Sequence, residues 1–248
     1  MNDAQALPPP VPPPVPQSVP QSSPAEDDPR ELERPILDQL LRSPSALLAR
    51  LDGPQATSAL MSLAMLAFVG FALYGLVVGS FSGGVQWWAA PTKIVLGSFL
   101  CGAICFPSLF IFVSQSGAQT RARHVLGMLL GVLASTALLL AGFAPVAWIF
   151  TQSSTTVSLL APLHYLVWFV SLIASVRFLK AGLQLWKARR GALTGLWITV
   201  FVLCCLQMSV TLRPILGSAE RVFDPQRKFF LLHWGQTVAK DLGLEEGR

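Results

Sequence analysis

Five apolar runs set the plan of this chain. They cover residues 58–80, 93–113, 125–150, 158–179 and 192–212, and each is close to the ~20 residues a helix needs to cross a hydrocarbon core. The pattern predicts an all-α integral membrane bundle of five transmembrane helices over 58–212. Ahead of the first run, Ile36, Leu37, Leu40 and Leu41, then Leu47, Leu48 and Leu51, recur at three-and-four spacing on either side of Pro44. This spacing predicts short amphipathic helices across 36–57 that lie in the membrane interface. Behind the last run, Phe230, Trp234 and Val238 recur every four residues and predict an interfacial helix within 213–248. The apolar stretch Phe229–Trp234 is too short to make a sixth span.

Composition removes the soluble alternative. The chain is 52% hydrophobic and 12% charged, against about 25% charged residues in a soluble domain. All 13 acidic residues lie in 1–52 or 220–248, so nothing from Gly53 to Ser218 carries a carboxylate side chain. A water-facing surface cannot be built from that stretch.

The net charge of +5 reads as topology, because the basic residues sit in short loops rather than in a stripe suited to nucleic acid. With the N-terminus inside, the inner side holds Arg42, Arg50, Arg121, Arg123, Arg177, Lys180, Lys187, Arg189 and Arg190. The outer loops hold Lys93 alone. Arg213, Arg221, Arg227 and Lys228 in the C-terminal tail narrow that margin without reversing it. The expectation is an integral plasma-membrane protein with its N-terminus cytoplasmic and its C-terminus outside. Residues 1–35 contain 11 prolines and predict a disordered, extended polyproline tail. Such a tail acts as a spacer, or docks a soluble partner with an aromatic groove. Since the acidic, proline-rich start has no secretory pattern, the first span is expected to act as an uncleaved signal anchor.

Few residues remain for chemistry. The chain has no GxGxxG, Walker, HExxH or G-x-S-x-G motif, and the bundle lacks carboxylates for hydrolysis or metal ligation. No enzyme activity and no cofactor are expected. The topology does gather polar side chains at the outer end of several spans: Tyr74 late in the first, Lys93 opening the second, His164 early in the fourth, Gln207 late in the fifth and Arg213 closing it. Net positive and without an internal counter-ion, this layer suits an anionic lipid headgroup or another anion; the alternative is snorkelling of Lys93 and Arg213 to the headgroups. Gly75 and Gly79, and Gly127 and Gly131, form GxxxG pairs for close helix packing, within the bundle or at a homodimer seam. Pro107 and Pro145 fall late in spans two and three and should kink them. Cys101 and Cys105 share a helix face at i, i+4, and Cys204 and Cys205 lie in the last run. That face is what a metal pair would need, but free cysteines pack as small hydrophobes. Packing is the expectation and no metal is predicted, with metal or redox use as the alternative.

Several segments together resemble a known family. Leu41-Arg42-Ser43-Pro44-Ser45 ahead of the first span, the loop Gly117-Ala118-Gln119-Thr120-Arg121, the small-residue-rich stretch from Leu126 to Pro145, and the basic loop between spans four and five are similar to Yip-family membrane proteins over roughly residues 40–212. Tyr74-Gly75 to Gly79 looks closer to a group of bacterial multi-pass members. The resemblance implies five spans with the N-terminus in the cytosol and the C-terminus outside. Eukaryotic relatives of this type work in membrane traffic; the bacterial members imply no agreed activity. The role expected from the whole chain is a non-enzymatic scaffold or accessory subunit that recruits partners at the membrane, with transport or lipid handling at the outer polar layer as the alternative.

Overall fold

The computed structural model describes residues 35–80, 84–118, 120–153, 157–186 and 192–211. They form seven helices: α1 (Ile36–Arg42), α2 (Pro44–Ala49), α3 (Ala56–Ser80), α4 (Gln86–Gln115), α5 (Ala122–Ser153), α6 (Val157–Leu185) and α7 (Ala192–Thr211), with a 3₁₀ turn over Arg50–Asp52. Four helices, α3 to α6, are long and apolar enough to cross a membrane, and α7 is a shorter apolar helix. The proline-rich tail, Arg213 and the C-terminal interfacial helix lie outside the described residues.

The helices outrun the apolar runs that announced them. α4 starts at Gln86 rather than at 93, and α5 extends to Ser153. Gln86, Thr92 and the adjoining tryptophans lower the local hydropathy, yet the helix backbone continues through them, with Thr92 Oγ donating to the Trp88 carbonyl at 2.8 Å. Lys93 is therefore not the residue that opens span two. It lies about two turns inside α4 and is 3% exposed. Pro107 and Pro145 sit within α4 and α5, and both helices continue past them.

Side-chain contacts order the bundle. α5 is its centre: 67% of its most apolar stretch is buried, against 28–39% in α3, α4 and α6. It packs on α3, α6 and α4, while α3 also packs on α4, and α7 joins through α4. Helices consecutive in the chain run antiparallel, so α3 and α5 lie parallel, with Gly70 against Ala137. Tyr74 near the end of α3 meets His164 near the start of α6, and Cys101 and Cys105 meet Cys205 and Trp197 in reverse order. Outward faces remain apolar, with Met61, Phe68, Leu96, Ile104, Ile149 and Ile173 exposed. Apolar side chains facing out over long helices match lipid as solvent.

Small residues set the closest approaches. A Cβ at Gly70 would lie 2.8 Å from the Ala137 carbonyl oxygen, and one at Gly75 would overlap Pro91. Cβ atoms at Gly127 and Gly131 would overlap Leu51 and the Phe178 ring. Gly75, Gly127 and Gly131 thus serve contacts within one chain; Gly79 is buried beside them on α3.

The N-terminal amphipathic segment departs from expectation. Leu40, Leu47, Leu48 and Leu51 are at most 1% exposed, because they cover one end of the bundle rather than facing lipid. Leu51 sits over Gly127, and Leu48 reaches the Gly182 position on α6. The glycines leave hollows on α5 and α6 that the leucines fill, so protein rather than the interface buries this face. Asp52 follows and accepts from His124 Nε2 at 2.9 Å. His124 Nδ1 in turn accepts from the Arg121 backbone N–H at 3.2 Å, which puts the ring proton on Nε2. The His124 ring stacks on Trp186 with centroids 4.7 Å apart. The chain thus carries a cap of residues 36–52 at the end where α3 and α5 begin and α4 and α6 finish.

Candidate functional site

Two groups of side chains inside the bundle have chemistry beyond packing. The first is at the end opposite the cap. Tyr74, Lys93 and His164 come from α3, α4 and α6, each six or seven residues from the helix end at Ser80, Gln86 or Val157. At 1.5 Å per residue this places all three roughly 10 Å from the helix ends. All three are buried, at 4%, 3% and 8% exposure. Tyr74 Oη and His164 Nδ1 are hydrogen-bonded at 2.8 Å, and the two rings meet edge to face. The other ring nitrogen, His164 Nε2, is buried without a protein partner. Whichever of the pair donates, Nε2 is left with either an unused N–H or an unused lone pair. A buried polar atom in that condition costs about 1–3 kcal/mol unless something pairs with it.

Of the five residues that the sequence assigned to an outer polar layer, the structure brings Tyr74 and His164 into contact. It puts Lys93 at the same depth on the adjoining helix α4, where Pro91 packs against Gly75, the neighbour of Tyr74. Gln207 is half-buried on α7, whose main packing partner is α4. Arg213 lies outside the described residues. Burial of Lys93 changes its reading: a lysine 3% exposed inside a helix does not snorkel along the lipid surface, as a lysine at a helix end would.

The second group is one that sequence reasoning missed. Cys101 and Cys105 on α4 face Cys204 and Cys205 on α7. The sulfurs of Cys101, Cys105 and Cys204 all lie within 4.8 Å of one another, and Cys101 Sγ is 3.0 Å from Cys205 Sγ. All four are free thiols; Cys101 and Cys105 are buried, Cys204 and Cys205 half-buried. The Trp197 indole N–H donates to the Cys105 carbonyl at 3.3 Å, and that carbonyl also accepts from Ser108 Oγ at 2.8 Å. The Trp197 ring stacks on Phe201, one turn before the α7 thiols. The i, i+4 spacing on α4 was legible as a shared face. What the linear order did not reveal is that α7 packs antiparallel on α4 with its own cysteine pair at the same height.

Electrostatically the two groups are separate. Among the described residues the carboxylates are Asp38 and Asp52, both in the cap. The polar layer is basic or neutral, and the thiol cluster is neutral while protonated. Comparisons with protein-family models, with curated proteins and with solved structures found no match.

Proposed function

We propose that this chain is a non-enzymatic, five-span scaffold or accessory subunit of a bacterial plasma membrane, which holds its proline-rich tail at the cytoplasmic face for soluble partners. The observation that carries this reading is the cap. Four leucines of residues 36–52 are buried on the bundle, so the tail leaves from a fixed point at Pro35 rather than from a loose interfacial helix. A docked exit confines a tail to one surface and raises its effective concentration for anything bound nearby. Five spans and an inside N-terminus agree with the charges. With Lys93 inside α4, the connections 81–85 and 154–156 carry no Lys or Arg at all. The capped end has Arg42, Arg50, Arg121 and Arg123, as a cytoplasmic face requires. With 20 residues, α7 is just long enough to be the fifth span.

The test is deletion of residues 2–30 in the native host, followed by purification in mild detergent. The scaffold reading expects the membrane domain to insert and melt unchanged while a stoichiometric soluble partner of the full chain is lost. An unchanged set of co-purifying proteins would remove recruitment by the tail.

A second reading rests on the orphaned His164 Nε2 at the depth of buried Lys93. An anionic lipid headgroup inserted between α3, α4 and α6 would offer that nitrogen a partner. On this reading Lys93→Gln and His164→Ala each weaken retention of anionic lipid in native mass spectrometry, and retention unchanged in both ends it.

A further inference from the structure

We propose that Cys101, Cys105, Cys204 and Cys205 form a binding site for one soft metal ion, Cu(I), between α4 and α7 at the middle of the membrane. Cys101 lies at the midpoint of the 30-residue helix α4. The site is thus about 22 Å from either end of that helix, about 12 Å along α4 from Lys93, and away from the cap.

Donor type comes first. The cluster offers sulfur alone, with neither carboxylate nor imidazole in the group. Thiolates select Cu(I), zinc or iron–sulfur clusters over hard cations. Geometry comes second. A metal about 2.3 Å from each sulfur separates its ligands by roughly 3.8–4.0 Å. Three of the sulfurs already fall within 4.8 Å of one another. Closing the remaining gap takes no more than about 1 Å, which side-chain rotation within the two helices provides. Cys205, 3.0 Å from Cys101, moves apart slightly to become a further ligand or a neutral neighbour.

Charge then chooses among the soft ions. A charged group at the bilayer centre costs at least ~2.5 kcal/mol, and α7 has no Lys or Arg over its whole length. Zinc takes four ligands; four thiolates around it would carry two net negative charges there, and two thiolates with two neutral thiols would fill half its shell with weak donors. Cu(I) is held by two thiolates with one net negative charge, and the other two sulfurs can remain thiols. Two thiols lose their protons when the ion binds, so Cu⁺ and two R–SH give [Cu(SR)₂]⁻ and two H⁺, with no change of oxidation state. The surroundings suit this ion as well. Trp197 and Phe201 stack beside the thiols, and the indole N–H ties α7 to the Cys105 carbonyl. That holds the two ligand-bearing helices together and narrows the approach for water and oxidant, the usual role of the shell around a metal site.

The test uses the full chain in lipid nanodiscs, reduced with a phosphine and stripped by a chelator. Cu(I) is titrated anaerobically against a colorimetric Cu(I) chelator in the presence of excess zinc. The proposal expects one Cu(I) per chain, sulfur-only scattering in X-ray absorption, and a melting temperature raised by the ion. In Cys101→Ser/Cys205→Ser and in Cys105→Ser/Cys204→Ser, uptake should fall at least tenfold while the metal-free melting temperature stays near that of the parent. A wild-type chain that takes up no Cu(I) overturns the site whether or not the variants fold. Uptake that survives both double variants, or scattering from nitrogen, overturns it too by placing the ion elsewhere.

Discussion

At the residue scale, the glycines of the bundle separate into those with a neighbour and those without. Gly131 faces the Phe178 ring, where an added Cβ would overlap the aromatic edge, whereas Gly142 on the same helix has open space. Phe178 is fully buried and has nowhere to retreat. Gly131→Ala should therefore destabilise the bundle by about 1–3 kcal/mol, the usual cost of overpacking. Gly142→Ala should be neutral or stabilise by up to about 1 kcal/mol, because alanine is the better helix former. Thermal melts of both variants in one detergent make the comparison, and equal melting temperatures would contradict the packing described for α5 and α6. Tyr74 permits a second test. Tyr74→Phe removes the hydroxyl and leaves His164 Nδ1 without the bond it has at 2.8 Å, at a cost of about 1–3 kcal/mol. In a Tyr74→Phe/His164→Leu double variant the loss should be smaller than the sum of the singles, since both members of the buried pair are gone. The depth of Tyr74 and His164 was readable from the sequence, because span boundaries and direction fix how far each residue lies from an end. Their contact was not, since it depends on α3 and α6 leaning together across α5. Lys93 went astray for a local reason: Gln86, Trp87 and Trp88 ahead of it score as polar or interfacial, and the helix runs through them regardless.

At the scale of elements, long apolar segments were the most legible part of the chain, because a span needs only length and the absence of charge. The cap shows where that legibility stopped. The spacing of Leu40, Leu47, Leu48 and Leu51 around Pro44 announced two short helices with one apolar face, and α1 and α2 are those helices. Hydrophobic periodicity states that a face must be buried and says nothing about what buries it. Lipid and a glycine-lined hollow on α5 and α6 satisfy the same pattern. Leu48→Ala should release the cap without unfolding the spans, since truncating a fully buried leucine costs about 2–5 kcal/mol and a pair of short helices is only marginally stable alone. Limited proteolysis reads this out. Cleavage within 36–52 should accelerate while α3 to α6 remain protected, and a loss of protection throughout would show that the cap and the bundle unfold as one unit. Asp52→Asn should act in the same direction more weakly, because it weakens the bond that His124 Nε2 donates and leaves the leucines in place.

At the scale of the whole molecule, the antiparallel bundle ties orientation to charge. The cap, the ends of α4 and α6 and the starts of α5 and α7 share one end, and the sequence joining these helices carries Arg121, Lys187, Arg189 and Arg190, with Arg123 in the first turn of α5. The opposite end has the ends of α3 and α5 and the starts of α4 and α6. The sequence stretches 81–85 and 154–156 that join these helices carry no Lys or Arg, and Trp88, near the start of α4, is 82% exposed, as tryptophans at membrane–water interfaces are. Translocating the basic end would carry its arginines and lysines across the membrane, while the short connections of the other end carry none and only the C-terminal tail, with Arg213, Arg221, Arg227 and Lys228, brings positive charge there. Reporter fusions or cysteine-accessibility probes at residues 20, 120 and 185 should therefore all read cytoplasmic. The probe at 245 separates five spans from four. An extracytoplasmic signal there requires α7 to cross, and the thiol cluster then lies at mid-membrane between two spanning helices. If the probe at 245 reads cytoplasmic, α7 must instead lie along or re-enter the membrane beside α4, which would bring the four thiols within reach of soluble reductants. Membrane-impermeant alkylation of the cysteines supplies the independent check: it should stay slow from both sides for the spanning arrangement, and become fast from the cytoplasmic side alone if α7 turns back.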